Sequence, residues 1–141
     1  MTKTKNLEAL LVSFDKALME NDKAKMKKSI VGINTIVFSD DISLVELYPY
    51  EERISIIYNK GLSAKLFDEF EYFDHLINLY KLLLNPSIDT KRQHNLWIAY
   101  MFNVVQIGLV NMYDAKNQKK ADKIIDKINQ TVFNYAWFLN F

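Results

Sequence analysis

The sequence predicts an all-α protein: a single compact bundle of five to six helices, most of them antiparallel to their neighbours. Apolar residues recur at intervals of three and four along almost the whole chain, which is the spacing of one helix face. No stretch shows the sustained apolar–polar alternation of a half-buried strand. The 141 residues include only three Gly and two Pro, too few for a turn-dense β-sandwich. This length predicts one domain, residues 1–141.

The first half of the chain predicts two long helices, a short segment and a third helix. Asn6 is a candidate N-cap for the first helix, which ends at a turn at residues 21–22. Residues 43–48 are ambiguous. Pro49 suits the first turn of the third helix, and Gly61 suits the left-handed position beyond its end. The residues expected to face the core are Leu7, Leu10, Leu11, Phe14, Leu18, Met26, Ile30, Ile33, Val37, Ile54, Ile57 and Tyr58.

The second half of the chain predicts three further helices. Ser63 is expected to cap a helix that runs to about Leu84. The next helix runs through Tyr113, and a turn at residues 114–118 precedes the last one. The expected core residues are Leu66, Phe67, Phe70, Phe73, Ile77, Tyr80 and Leu84 on the first of these helices, and Ala121, Ile125, Ile128, Val132 and Tyr135 or Ala136 on the last.

Composition and motifs argue against most enzyme classes. The chain has no Cys, which excludes a thiolate metal site and a cysteine nucleophile. It lacks a Walker A loop, a dinucleotide fingerprint, an EF-hand loop and the glycines of a nucleophile elbow. His75 can share a helix face with Asp68 and Glu71, but such a face is usually solvated polar surface. We therefore expect no catalytic residue, no metal and no cofactor.

Residue usage also bears on nucleic acids and membranes. Lysine outnumbers arginine 16 to 2, so the bidentate contacts that favour Arg are scarce and no specific nucleic-acid binding is expected. No charged residue occurs from Asn95 to Tyr113, a length that just reaches a bilayer span. Amides such as Asn103 and Gln106 interrupt it, which favours a central helix buried on most sides over a membrane-associated one. No apolar signal core follows Met1, so we expect a cytoplasmic protein.

The net charge of +1 conceals an acidic middle between two basic arms. Residues 1–39 carry +3, residues 40–74 carry −6 and residues 75–141 carry +4. One interpretation is that these charges lie on ordinary solvated helix faces. The other is an acidic surface that docks a protein with a basic surface. The residues expected on that acidic surface are Glu51, Glu52, Asp68, Glu69, Glu71 and Asp74.

The C-terminal nine residues contain five aromatic side chains. Phe133, Trp137 and Phe141 lie at helical spacing on one stripe, whereas Tyr135 and Phe138 lie off it. One helix of a small bundle can hardly bury both sides. Part of this surface, with Trp137, Phe138 and Phe141, is therefore a candidate interface with another protein or a second copy. The alternative is that the aromatic residues wrap back over the protein's own core.

Phe14-x-x-Ala17 with the following turn lies in residues 10–38, and Asn95-Leu96, Ala99-Tyr100-Met101 and Ala136-Trp137 lie in residues 95–137. On these residues, the two segments resemble the helical hairpins of flagellin-binding flagellar export chaperones. The resemblance implies a small helical protein that covers amphipathic helices of a partner. The chain departs from that family because it has no counterpart of the tyrosine-containing N-terminal strap, and residues 39–94 would be a large insertion. No family is assigned on this basis.

These observations predict a small, non-enzymatic helical protein that acts by binding another protein, as an adaptor, a chaperone or an inhibitor of the immunity type. Docking is expected through the acidic middle or the aromatic C-terminal helix, and a homodimer is a further option. The alternative is a small-molecule-binding or enzymatic bundle with a pocket lined by His75, Tyr80, Trp97 and Tyr100.

Overall fold

The computed structural model describes residues 3–39, 42–83 and 92–134. All regular secondary structure within these ranges is helical, which confirms the all-α prediction. A 3₁₀ turn, Tyr48–Tyr50, contains Pro49 and leads into the fourth helix. The helices are α1 (Lys3–Met19), α2 (Lys23–Val37), α3 (Leu44–Leu47), α4 (Glu51–Ser63), α5 (Glu69–Leu83), α6 (Arg92–Asn111) and α7 (Gln118–Asn134).

The chain divides into two compact units, one ending at Tyr72 and the other beginning at Phe73. The boundary falls within α5. The first unit therefore holds α1 to α4 and the start of α5, and the second holds the rest of α5 with α6 and α7. The expectation of one domain across residues 1–141 stays a prediction.

α1 and α2 pack together as a helical hairpin, and α4 packs against both of them. The hairpin turns at Asn21, whose φ of 53° is left-handed, and the Asp22 carboxylate caps α2 by accepting a hydrogen bond from the Lys25 backbone N–H at 3.2 Å. Asn6 lies inside α1, because the helix already begins at Lys3, so its prediction as an N-cap is wrong. The apolar residues that fill this core include Leu7, Leu11, Phe14, Met26, Ile33, Ile54 and Tyr58.

The end of α4 differs from the prediction at two residues. Gly61 lies inside the helix without a positive φ, and the left-handed residue is Lys65, with φ 62°. A Cβ on Gly61 would come within 2.8 Å of the Phe67 ring, so this glycine permits a close approach instead of ending the helix. Ser63 is the last residue of α4 and caps nothing.

The N-cap of α5 is Asp68, five residues later in the chain than the predicted cap, Ser63. The carboxylate of Asp68 accepts a hydrogen bond from the Glu71 backbone N–H at 2.8 Å, the pattern of an N-cap. Phe67, Phe70 and Phe73 are only half-buried, although the sequence predicts them in the core. The buried side chains of the segment are Leu66, Leu76, Ile77, Leu79, Tyr80 and Leu83, whereas Leu84 lies outside the described residues.

In the second unit α6 packs against α7, and the later part of α5 touches both. A Cβ on Gly108 of α6 would lie 2.9 Å from the Phe73 ring of α5. The turn before α7 forms as predicted, with the Asp114 carboxylate accepting a hydrogen bond from the Asn117 backbone N–H at 2.8 Å. Among the side chains of α6 and α7 that the structure describes, the buried ones are Phe102, Val105, Leu109, Ala121, Ile124, Ile128 and Thr131. Ile125 is half-buried, and the side chain of Val132 and residues Tyr135 and Ala136 lie outside the described part.

Candidate protein-binding surfaces

α6 carries an exposed apolar stripe opposite its buried side. Phe102, Val105 and Leu109 are buried. On the other side, Tyr100 is 60% exposed and Ile107 is 62% exposed. The spacing of three and four residues places Val104 and Val110, 40% and 57% exposed, with Tyr100 and Ile107 on one surface. The prediction of a helix buried on most sides is therefore wrong for the side chains described here.

The residues of α6 on this surface carry no charged side chain. Asn103 and Asn111 are exposed beside the apolar residues. With Gln106, Ile107 and Val110 they line a shallow groove of about 330 Å³. We call Tyr100, Asn103, Val104, Ile107, Val110 and Asn111 the α6 face. None of the helices in the described ranges has the length and apolarity needed to cross a membrane.

The predicted acidic surface separates into residues with different roles. Asp74 accepts a hydrogen bond from the Lys127 ammonium at 2.6 Å, and it belongs to the second unit. Asp68 caps α5, and Glu51 is partly buried. The remaining members, Glu52, Glu69 and Glu71, are exposed in the first unit.

Much of this acidity lies where helices begin. Glu51 and Glu52 occupy the first turn of α4, and Glu69 and Glu71 occupy the first turn of α5. Carboxylates at these positions stabilise a helix through the positive end of its dipole. The Asp-x-x-Glu spacing of Asp68 and Glu71 resembles the capping box, a sequence signal that could have located the start of α5.

The third group of predicted binding residues, Trp137, Phe138 and Phe141, lies outside the described residues. The part of α7 that the structure describes ends at Asn134. The aromatic interface therefore stays a prediction.

The residues predicted to line the alternative ligand pocket differ in how far their side chains are buried. Tyr80 is 2% exposed, whereas Tyr100 belongs to the exposed α6 face. His75 is half-buried, and the side chain of Trp97 lies outside the described part. Among the described residues, no group of three or more His, Asp and Glu side chains is placed to hold a metal ion.

Two tyrosines donate hydrogen bonds to carboxylates at the surface. Tyr50 bonds Glu8 and Tyr113 bonds Asp122, both at 2.9 Å. Each bond raises the pKa of its phenol, because ionisation would remove the donated proton and place two negative charges together. These pairs join neighbouring elements and offer no reactive group at ordinary pH.

The α6 face is the surface that sequence reasoning missed. The sequence predicts these residues in an uncharged helix that is buried on most sides, and no signal in the sequence itself distinguishes a covered neutral helix from an exposed one. Comparisons with protein-family models, curated proteins and solved structures find no match to this chain.

Proposed function

We propose that this chain is a non-enzymatic cytoplasmic protein that acts by binding another protein, as an adaptor, a chaperone or an inhibitor does. The observation that carries the proposal is the α6 face, where four large apolar side chains stand exposed on one side of a helix. From Tyr100 to Val110 they extend over about 15 Å of helix. Isolated exposed apolar residues are ordinary, but a contiguous patch is typical of an interaction site.

The composition of the α6 face specifies the chemistry of its partner. A partner charge buried against a neutral surface would lose its hydration without gaining an opposite charge, which is costly. The complementary surface is therefore also uncharged. We propose that the occupant is an amphipathic helix of another protein, with an aliphatic stripe flanked by amide or hydroxyl side chains.

Two details support a helix as the occupant. The stripe along α6 follows the three-and-four spacing that meets the side chains of a second helix. The groove beside Ile107 offers space for an apolar side chain of that helix, and Asn103 and Asn111 in its lining supply amide donors and acceptors.

The test places a photo-crosslinking phenylalanine analogue at position 104 in the native host, with the same analogue at position 31 as the control. Val31 is 65% exposed on α2 and lies outside the α6 face. A crosslink from position 104 to a helix of one partner protein, absent from position 31, is the expected result. The identified partner is then purified and its affinity is measured by calorimetry.

The affinity measurement uses Ile107→Asp with Val31→Asp as the matched control. Loss of binding in the first variant alone supports the α6 face. Equal affinity for both variants contradicts it. A crosslink between two copies of the chain, together with a dimeric mass by light scattering, would show that the occupant of the α6 face is a second copy and would contradict a foreign partner.

A second version of the proposal uses the exposed acids Glu52, Glu69 and Glu71 to dock a protein with a basic surface. The supporting observation is their exposure in one unit of the chain. The test is Glu69→Lys with Glu71→Lys, leaving Asp74 intact because it binds Lys127. We expect weaker binding and a smaller salt dependence of the association rate, and unchanged kinetics would exclude this version.

The aromatic C-terminal residues give a third version with its own test. Trp137→Ala and Phe141→Ala should lower either the oligomer mass or the partner affinity. The affinities of these variants can be compared with that of Ile107→Asp in the same calorimetric series.

A further inference from the structure

A groove runs between α1 and α2 within the first unit. Its volume is about 370 Å³, at the lower end of the size range of small-molecule sites. Its polar lining residues are Ser13, Lys16, Glu20, Lys25, Lys28 and Ser29.

The groove exists because small side chains lie where the two helices face each other. Ala17 is a buried residue of the lining, and Ser13 of α1 and Ser29 of α2 also line the groove. None of these three side chains is long enough to fill the space between the helices.

The lining carries an excess of positive charge. Lys25 has carboxylate neighbours, with Glu20 and Asp22 each 3.8 Å from its ammonium. Among the described residues, Lys16 and Lys28 have no ion pair. Both lysines are exposed, so two ammonium groups are accessible to an anion at the groove.

Ser29 adds a second hydroxyl to the lining of the groove. The residue is only 5% exposed, and its hydroxyl makes no hydrogen bond within the described part of the chain. The hydroxyl oxygen still reaches the surface of the groove, so it can donate a hydrogen bond to an acceptor oxygen placed there.

We propose that the α1–α2 groove binds a phosphate monoester group, with Lys16 and Lys28 as the cationic ligands and Ser13 and Ser29 as hydroxyl donors. A phosphate monoester carries close to two negative charges near neutral pH and has three acceptor oxygens, which matches two lysines and two hydroxyls. A carboxylate, with one charge, would match only one of the lysines. Lysine is a common phosphate ligand that acts as a point charge.

The test follows the backbone amide NMR shifts of Ser13 and Ser29 during titration with glycerol 3-phosphate at constant ionic strength. We expect saturable shifts, and inorganic phosphate should compete for the same site. Lys28→Met and Ser29→Ala should each weaken binding, by about tenfold for the lysine and several-fold for the serine. Thermal melts of both variants should match that of the wild type.

The matched control is Lys27→Met. Lys27 precedes Lys28 in the chain but does not line the groove, so this variant removes the same charge next to the site. Its affinity should equal that of the wild type. If Lys27→Met and Lys28→Met weaken phosphate binding equally, the binding depends only on the overall positive charge of the region, and the proposal is overturned. Absence of saturable shifts with either phosphate compound would also overturn it.

A vesicle assay identifies the source of the phosphate group. Co-sedimentation with phosphatidylcholine vesicles that contain phosphatidic acid, lost in Lys28→Met and retained in Lys27→Met, assigns the site to a lipid headgroup. Glycerol 3-phosphate binding without co-sedimentation assigns it to a soluble ester. Vesicle binding that both lysine variants retain would place the membrane contact elsewhere and count against the groove.

Discussion

The Lys127 ammonium of α7 lies 2.6 Å from the Asp74 carboxylate of α5 and donates a second hydrogen bond, at 3.3 Å, to the Asn78 side-chain oxygen. Both charged side chains are about 70% buried, at 30% and 32% exposure. One ammonium thus joins two successive turns of α5 to α7, within the second unit.

Removing this ion pair should destabilise the protein. We expect Lys127→Met to lower the free energy of unfolding by about 1–2 kcal/mol, because it removes the ammonium from a partly buried carboxylate whose other hydrogen bond, from the Asn78 side-chain amide, is 3.5 Å long. Urea denaturation followed by circular dichroism measures the change. Asp126→Asn, at an exposed neighbouring position of α7, is the control and should change stability by less than about 0.5 kcal/mol. Equal effects would show that the pair contributes nothing specific.

The Tyr58 hydroxyl gives a second prediction, since it donates a hydrogen bond to the Asn34 side-chain oxygen. Tyr58→Phe removes the donor and leaves that oxygen unpartnered, which should cost about 1–2 kcal/mol of stability. Tyr50→Phe removes a more exposed bond, to Glu8, and should cost less. The same denaturation experiment compares the two variants, and a larger loss in Tyr50→Phe would contradict the expected ranking.

The pH dependence of stability should also report on Tyr58. Burial raises the pKa of Tyr58 above its ordinary value of 10.0 in the folded state. Its contribution to stability is therefore complete below the unfolded pKa, near pH 10, and is lost as the pH rises toward the folded pKa. Stability measured from pH 8 to 11 should fall more steeply in the wild type than in Tyr58→Phe. Parallel curves would mean that this phenol is not the titrating group.

Two glycines in helices should respond oppositely to alanine. Gly61→Ala places a Cβ 2.8 Å from the Phe67 ring and 3.2 Å from Ile30, which should outweigh the helix propensity of alanine and destabilise by about 1–2 kcal/mol. Gly32→Ala meets only the flexible end of Leu10, at 2.9 Å, so it should be neutral or stabilise by up to about 1 kcal/mol. Thermal melts of the two variants provide the comparison. A gain in stability from Gly61→Ala would refute the close contact.

The cap at Asp68 supplies the last prediction. Asp68→Ala should cost about 1 kcal/mol because the Glu71 backbone N–H loses its acceptor, and Asp68→Ser should restore most of that loss. Glu69→Ala, beside the cap, is the control. If Asp68→Ser and Asp68→Ala melt at the same temperature, the side chain is not a cap.

Periodicity was sufficient to predict the helices, but not all of their ends. The spacing of Leu7, Leu11 and Phe14 identifies α1 because a helix must bury one stripe. The end of α4 was misplaced because Gly61 resembles a helix terminator in sequence. Its actual role depends on Phe67 approaching it in the folded chain, which periodicity cannot reveal.

The candidate surfaces depend even more on tertiary structure. The charge of residues 40–74 is a property of the sequence, but the pairing of Asp74 with Lys127 arises only when α5 and α7 meet. The α6 face was misassigned for a related reason. An uncharged helix can be covered by other helices of its own chain or can stay exposed and bind another protein. The hydropathy of its sequence is the same in both cases.

The tight turn at Asn21 has a consequence for the order of folding. Only Glu20, Asn21 and Asp22 separate α1 from α2, so the contacts between these helices join residues close in the chain. Such local contacts form quickly because little loop-closure entropy is lost. We expect the hairpin to assemble early, while the ribosome is still synthesising the rest of the chain. The walls of the α1–α2 groove would then be among the first tertiary features of the nascent protein.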